Sequence, residues 1–178
     1  MELRKDSRLR YIAGGCFIAL ALLTLVKFLS RFGVGLPVIH TASFLILIIG
    51  YIQIAKGLIS PDLHVCGAGS MLCCMFYIFD ILYGLLYSLG GHYSAFSVLP
   101  SVWNMVSLFI ILGPIDNSSE QPKSRTRGIV LAAVNLALFI IVCIVAKTFS
   151  ILNLLSTVLF SAGVVLIGIE LFNARRKW

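Results

Sequence analysis

The sequence predicts an all-α fold, a bundle of six transmembrane helices in a single domain over residues 1–178. Of the 178 residues, 60% are hydrophobic and only 12% are charged, whereas a soluble domain carries about 25% charged residues. The mean hydropathy is +1.03. No segment alternates apolar and polar residues over about 10 positions, as the strands of a transmembrane β-barrel do. We therefore expect a polytopic helical membrane protein.

Six apolar stretches define the expected helices, because each is close to the roughly 20 residues that span a hydrocarbon core. The first stretch follows several basic residues, as a signal peptide would. Its apolar run of about 19 residues is longer than that of a signal peptide and lacks a small-x-small cleavage site, so we expect a retained helix. The approximate bounds of the six stretches are 11–30, 37–59, 65–89, 96–113, 128–147 and 150–173.

The positions of the basic residues predict the orientation of the bundle. Threading six helices places all but three of the 14 Lys and Arg on the side that holds both termini, the exceptions being Lys27, Arg31 and Lys147. By the positive-inside rule this side is cytoplasmic. We expect a multi-pass protein of the plasma or bacterial inner membrane with both termini in the cytoplasm. The basic residues lie at helix ends rather than in one patch, which argues against a nucleic-acid partner.

The loops leave no room for a soluble catalytic domain. The longest, PIDNSSEQPKSRTR at 114–127, is polar and rich in turn-forming residues, so we expect a cytoplasmic linker. HExxH, GxSxG and GxxxxGKS/T motifs are missing from the sequence. A membrane aspartyl protease needs two acids at mid-membrane, but Asp116 lies in the linker. We therefore predict that the protein is not an enzyme.

Asp80 is the leading candidate for a functional residue. It lies near the middle of the apolar stretch MFYIFDILYGLLYSL at 75–89, and a buried acid costs about 2.5–3.5 kcal/mol on membrane-insertion scales. Such a carboxylate is normally turned towards the bundle with a partner, so we expect Asp80 to face inward. Helical spacing places several polar or small residues on its face, with Tyr83 beside them. These residues are Cys73, Tyr77, Gly84 and Tyr87.

Two interpretations of Asp80 remain open. In one, the tyrosines and Asp80 line a polar cavity that binds a cation, an amine or a proton. In the other, Asp80 is a structural hydrogen-bonding group. Trp103 and Asn104 on the fourth helix and Asn135 on the fifth are candidate partners at similar depth, although asparagines also bridge membrane helices for structural reasons. The candidate ligand-binding residues are Tyr77, Asp80, Tyr83, Tyr87, Trp103 and Asn104.

The other titratable residues indicate neither a metal site nor a cofactor. His40 and His92 belong to the outer end and His64 to the inner end, and none pairs with another ligand at i,i+4. The five cysteines lack C-x-x-C spacing and are expected to be packing residues. Glu170 lies near the cytoplasmic end of the last helix, where we expect an interfacial ion pair with Arg175 or another basic residue.

The predicted helices group into three hairpins of similar length, about 11–59, 65–113 and 127–173. Each hairpin opens with small residues, and Gly50 and Gly163 lie at comparable depth in two returning helices. Small residues let membrane helices approach closely. The pattern fits a threefold repeat, but it also fits any six-helix protein with short loops, so both interpretations remain open.

Two returning helices, SAGVVLIGIELFNARRKW at 161–178 and FLILIIGYIQIAKGLIS at 44–60, resemble the HdeD-like family of small six-helix bacterial membrane proteins. In both, an apolar run contains a glycine and leads to a small or charged exit. The resemblance implies repeated hairpins and a role in envelope or acid stress, and it carries over no catalytic residues. The outer turns lack the Asn-Pro or similar Pro turn that such hairpins commonly contain.

The chain is also similar to the vitamin-binding S components of energy-coupling-factor importers, which have six helices, this length and both ends in the cytoplasm. Gly15 and Ala19 match the small residues, four positions apart, with which the first helix of an S component docks on a partner subunit. This similarity implies small-molecule uptake through the pocket at Asp80. The expected partners are the lipid bilayer and either a second copy or a membrane partner subunit.

Overall fold

The structure is a computed structural model that describes residues 8–31, 38–60, 62–89, 95–112, 124–146 and 149–175. These ranges form six α-helices and one short 3₁₀ turn, and they contain no strand, so the all-helical prediction is confirmed. The helices are α1 (Arg8–Arg31), α2 (Val38–Ile59), α3 (Leu63–Leu89), α4 (Leu99–Leu112), α5 (Ser124–Ala146) and α6 (Ile151–Arg175), with the 3₁₀ turn at Ala95–Val98.

Five of these helices, all except α4, are long and apolar enough to cross a membrane. The fourth predicted helix, at about 96–113, is an α-helix over Leu99–Leu112 only and is preceded by the 3₁₀ turn. α4 has 14 residues and is about 21 Å long, compared with the roughly 30 Å of a hydrocarbon core. The cause is local: Pro100 has no N–H and fits only the first turn of an α-helix, so the residues before it form the 3₁₀ turn instead.

The predicted cytoplasmic linker at 114–127 is shorter than expected. α5 begins at Ser124, so the last four linker residues belong to a helix, and residues 113–123 lie outside the described part of the chain. The motif SRTR is compatible with a helix start because serine can cap a helix and arginine is a good helix former. The helix α5 therefore includes basic residues that precede its apolar segment.

The six helices form a ring in chain order. Each packs against the helix before it and the helix after it, and α6 packs against α1, which closes the ring. α6 also contacts α4 directly, although α5 lies between them in chain order. As a result α5 is the least buried of the five long helices.

α2 and α3 form a close contact because glycines meet at their interface. A Cβ on Gly50 would lie 2.6 Å from the Cys73 sulfur, and a Cβ on Gly69 would lie 2.7 Å from the Gly50 carbonyl oxygen and from the Ile54 nitrogen. No side chain larger than hydrogen fits between these two backbones. The close approach is the form of packing that small residues allow in membrane helices.

Asp62 joins these two helices in a compact turn. Its backbone N–H donates to the Gly57 carbonyl oxygen at 2.9 Å, and its side-chain Oδ1 accepts from the backbone N–H groups of His64 and Val65 at 3.0 and 3.3 Å. Asp62 therefore caps the N-terminus of α3, where free N–H groups would otherwise need water.

Aromatic side chains fill the ring interior. The Phe17 ring on α1 lies 5.9 Å from the Tyr51 ring on α2 and 6.5 Å from the Phe160 ring on α6. On the other side of Tyr51, Tyr77 of α3 is 4% exposed. These four side chains join α1, α2, α3 and α6 in one hydrophobic core.

Two returning-helix glycines have equivalent positions in the ring. Gly50 of α2 packs against Cys73 of α3, and Gly163 of α6 packs against the Phe17 ring of α1. In both cases the glycine contacts the first helix of the next hairpin around the ring, as a threefold arrangement requires. The short α4 departs from that equivalence.

Candidate functional site

Asp80 lies at the contact between α3 and α4. Its Oδ2 accepts a hydrogen bond from the Ser101 hydroxyl at 2.5 Å, and the residue is partly buried. The carboxylate is thus directed at a neighbouring helix, as the sequence predicts. Ser101 was not among the predicted site residues, because a serine in an apolar helix gives no sequence signal of its own.

The Tyr77 hydroxyl is directed at α2. This group and the Tyr51 hydroxyl lie 2.7 Å apart and form a hydrogen bond in which either can donate. The Tyr77 ring packs edge-on against Phe76 at 5.5 Å between centroids. Tyr77 therefore belongs to the packed core, and the hydrogen bond described for its hydroxyl is to Tyr51 rather than to Asp80.

The outer part of α3 carries the other predicted tyrosines. The Tyr83 hydroxyl oxygen is shielded from solvent. Gly84 leaves less room than expected, because a Cβ at this position would collide with the Val98 side chain of the 3₁₀ turn. The side chain of Tyr87 lies outside the described part of the chain.

The two predicted residues of α4 have different environments. The Trp103 indole N–H donates to the Leu131 carbonyl oxygen of α5 at 2.9 Å, so Trp103 joins two helices. The Asn104 side-chain oxygen is buried and has no hydrogen-bond partner within the described ranges. The structure therefore places Asp80 at the contact between α3 and α4, whereas Trp103 is turned towards α5.

Asn135 bridges α5 and α6 rather than reaching Asp80. Its side-chain N–H donates to the Ser161 hydroxyl at 3.1 Å, and both residues are buried. This is the structural role that asparagine often has in membrane helices.

Two buried charged residues lie at the end of the ring that holds the start of α1. Arg10 of α1 is 1% exposed and Glu170 of α6 is 2% exposed. Phe17 and Gly163 are in contact, and Arg10 and Glu170 lie about two helical turns from them in the same direction and on the same faces. Glu170 is therefore buried between helices rather than exposed, and its expected ion pair stays a prediction.

The described ranges contain no group of three or more His, Cys, Asp or Glu side chains that could hold a metal ion. The side chain of His40 and the whole of His92 and Lys147 lie outside those ranges. Lys27, near the C-terminal end of α1, donates to the Ser156 hydroxyl of α6 at 2.8 Å. An apolar groove of about 300 Å³ opens between α5 and α6, lined by side chains that include Phe139, Cys143 and Phe149. It is remote from Asp80.

Comparison of the chain with protein-family models, with curated proteins and with solved structures finds no match. The class of protein is therefore defined by the fold alone, which is a ring of helices of which five are apolar enough to cross a membrane.

Proposed function

We propose that the protein is a non-enzymatic integral membrane protein of the plasma or bacterial inner membrane, with both termini in the cytoplasm. This topology needs six crossings, so the sixth is formed by the 3₁₀ turn Ala95–Val98 and α4 together, which have a combined length of about 29 Å. Large apolar side chains point outward from the ring and support a lipid environment, because soluble proteins rarely expose wide apolar surfaces. Met71, Leu86 and Ile144 are 72%, 68% and 70% exposed. Met71 and Leu86 lie on α3 and Ile144 lies on α5, on outward surfaces that lipid tails would cover.

The observation that carries this function is the aromatic packing of the ring interior. Phe17 and Phe160 are 0% and 2% exposed, and the hydroxyls of Tyr51 and Tyr77 are hydrogen-bonded to each other. A ring filled by its own side chains suits a protein that acts through contacts within the membrane. The resemblance to the HdeD-like family supplies envelope or acid stress as the process.

Reporter fusions test the location and orientation. Alkaline phosphatase is active outside the cytoplasm, whereas green fluorescent protein fluoresces inside it. We expect fusions after Gly33 and Gly91 to give phosphatase activity, and fusions after Ser119 and at the carboxyl terminus to give fluorescence. Survival of a deletion strain at low pH tests the process. Unchanged survival, together with normal survival of other envelope stresses, would remove the stress function.

A second candidate function is small-molecule binding or uptake at Asp80, as in an S component. The observation in its favour is the Asp80–Ser101 hydrogen bond between α3 and α4, together with the buried oxygen of Asn104 three residues further along α4. An Asp80→Asn variant is expected to lose solute uptake in proteoliposomes while it remains folded. Ser88→Ala is a suitable control, because the Ser88 hydroxyl donates only to the Leu85 carbonyl oxygen of its own helix at 2.7 Å. Equal loss in both variants would contradict a site at Asp80.

A further inference from the structure

One face of α4 is buried in the ring and is formed by Ser107, Leu108, Ile111 and Leu112. Successive residues of an α-helix are rotated by about 100°, so the centre line of this face passes through position 104. Asn104 is therefore directed at the ring interior, one turn before Leu108. We call Ser101, Asn104 and Ser107 the polar stripe of α4.

The polar stripe contains two oxygens that lack a partner. Asn104 Oδ1 and Ser107 Oγ are both buried, and neither has a hydrogen-bond partner within the described ranges. Ser107 is 1% exposed. Native proteins rarely leave buried polar groups unpaired, and a bound water or ion is one explanation for such a group. The polar stripe thus indicates a ligand in the ring.

Asp80 lies at the outer end of the polar stripe. Its carboxylate accepts a hydrogen bond from the Ser101 hydroxyl at 2.5 Å. Asn104 is three residues after Ser101 on α4, a spacing that puts the two Cβ atoms about 5–6 Å apart. A carboxylate, a hydroxyl and an amide oxygen are thereby brought to one side of the ring. All of these groups offer oxygen, and together they carry one negative charge.

We propose that Asp80, Ser101 and Asn104 hold a small monovalent inorganic cation. Oxygen ligands suit hard cations, and the three side chains include only one carboxylate, which favours a cation of low charge. The proposal rests on the second candidate function, a binding site at Asp80, and it names the ligand of that site.

Thermal unfolding of the full-length protein in detergent tests the proposal. The chloride salts of sodium, potassium and ammonium are compared with N-methylglucamine chloride at equal ionic strength. A ligand that binds the folded state alone raises its stability. We expect at least one of the three cations to raise Tm by about 5 °C at saturation, which is the size expected for a chain of this length.

Variants of two asparagines separate a bound ion from general salt effects. Asn104→Leu is expected to lose the cation-dependent rise in Tm, and Asp80→Asn is expected to lose it too. Asn135→Leu is the matched control, because Asn135 is also buried but already donates to Ser161. It should keep the cation dependence. In N-methylglucamine chloride, Asn104→Leu should be at least as stable as the wild type, whereas Asn135→Leu should be less stable.

Several results would overturn the proposal. One is a Tm that no cation changes, and another is a cation effect that survives intact in Asn104→Leu. If an organic amine raises Tm through Asp80 and the inorganic cations do not, the proposal of an inorganic cation is wrong. The second candidate function, a binding site at Asp80, would still be supported. Should Asp80→Asn fail to fold, binding of radioactive sodium to the wild type, Ser101→Ala and Asn104→Leu decides the question. Equal binding by all three would again refute the site.

Discussion

The hydroxyl groups of Tyr51 and Tyr77 are hydrogen-bonded to each other at 2.7 Å and join α2 to α3 inside the ring. Each side chain is only 4% exposed, so water is not available to replace a lost partner. The pair explains how two phenols are accommodated among Phe17, Phe76 and Phe160. It also makes the stability of the α2–α3 contact testable by single-atom changes.

Tyr77→Phe should lower the free energy of unfolding by about 1 kcal/mol, because it leaves the buried Tyr51 hydroxyl without a partner. Membrane helices show a similar average for such bonds, near 0.6 kcal/mol. The double variant with Tyr51→Phe should lose less than the sum of the two single losses, since no hydroxyl then remains unpaired. Denaturant unfolding in detergent measures the cycle. Strict additivity would show that the two hydroxyls do not interact.

Gly69→Ala should destabilise the protein by about 1–3 kcal/mol, the usual cost of inserting a methyl group into a packed interface. Its Cβ would meet backbone atoms of Gly50 and Ile54 at 2.7 Å, and backbone cannot rotate away as a side chain can. Gly67→Ala is the matched control two residues away, because a Cβ there has nothing within 4 Å. Alanine should stabilise that position by up to about 1 kcal/mol through helix propensity. Thermal unfolding of both variants measures the contrast, and equal effects would argue against the close α2–α3 contact.

Charge reversal tests whether Arg10 and Glu170 form an ion pair between the first and last helices. Glu170→Arg alone should cost about 3–5 kcal/mol, because it leaves two buried positive charges near each other. The double variant Arg10→Glu with Glu170→Arg should recover a large part of that loss. Arg8→Glu serves as the control, since Arg8 is exposed at the same helix start. The fraction of folded protein after detergent extraction and heating measures the effect, and a double variant as unstable as the worse single one would rule out the pair.

Trp103→Phe should loosen the contact between α4 and α5. It removes the indole N–H that donates to the Leu131 carbonyl oxygen at 2.9 Å, at a cost of about 1 kcal/mol. Amide hydrogen exchange within α4 should become faster, because α4 is short and depends on its neighbours. Phe109→Leu is the control, since Phe109 is 64% exposed and points outward. Unchanged exchange in Trp103→Phe would show that the hydrogen bond does not hold α4 in place.

Much of the fold was predictable because apolar composition and segment length act locally. The long hydrophobic stretches give α1, α2, α3, α5 and α6 almost independently of their neighbours, since in lipid each backbone must satisfy its hydrogen bonds within its own helix. The fourth helix is present, but its α-helical part is shorter than predicted. There a single proline changed the start of the helix, and the surrounding hydropathy concealed the change.

The candidate site was predictable only in part. Asp80 stood out because a carboxylate in an apolar helix is rare and costly. Its partner Ser101 gave no such signal, and the helical face shared with Tyr77 did not show that Tyr77 bonds to Tyr51 instead. Spacing defines a face of one helix, whereas the partner of each group depends on how neighbouring helices are rotated.

The sequence alone determined that this protein is helical and apolar enough for a membrane, and that Asp80 needs a partner within the bundle, because both follow from the free energy of placing polar groups in lipid. The tertiary structure alone decided which helices meet. It closed α6 onto α1, brought Gly50 against Gly69, buried Glu170 and turned Asn104 into the ring. These outcomes depend on the rotation and register of each helix against the next, which are set by packing between residues far apart in the chain.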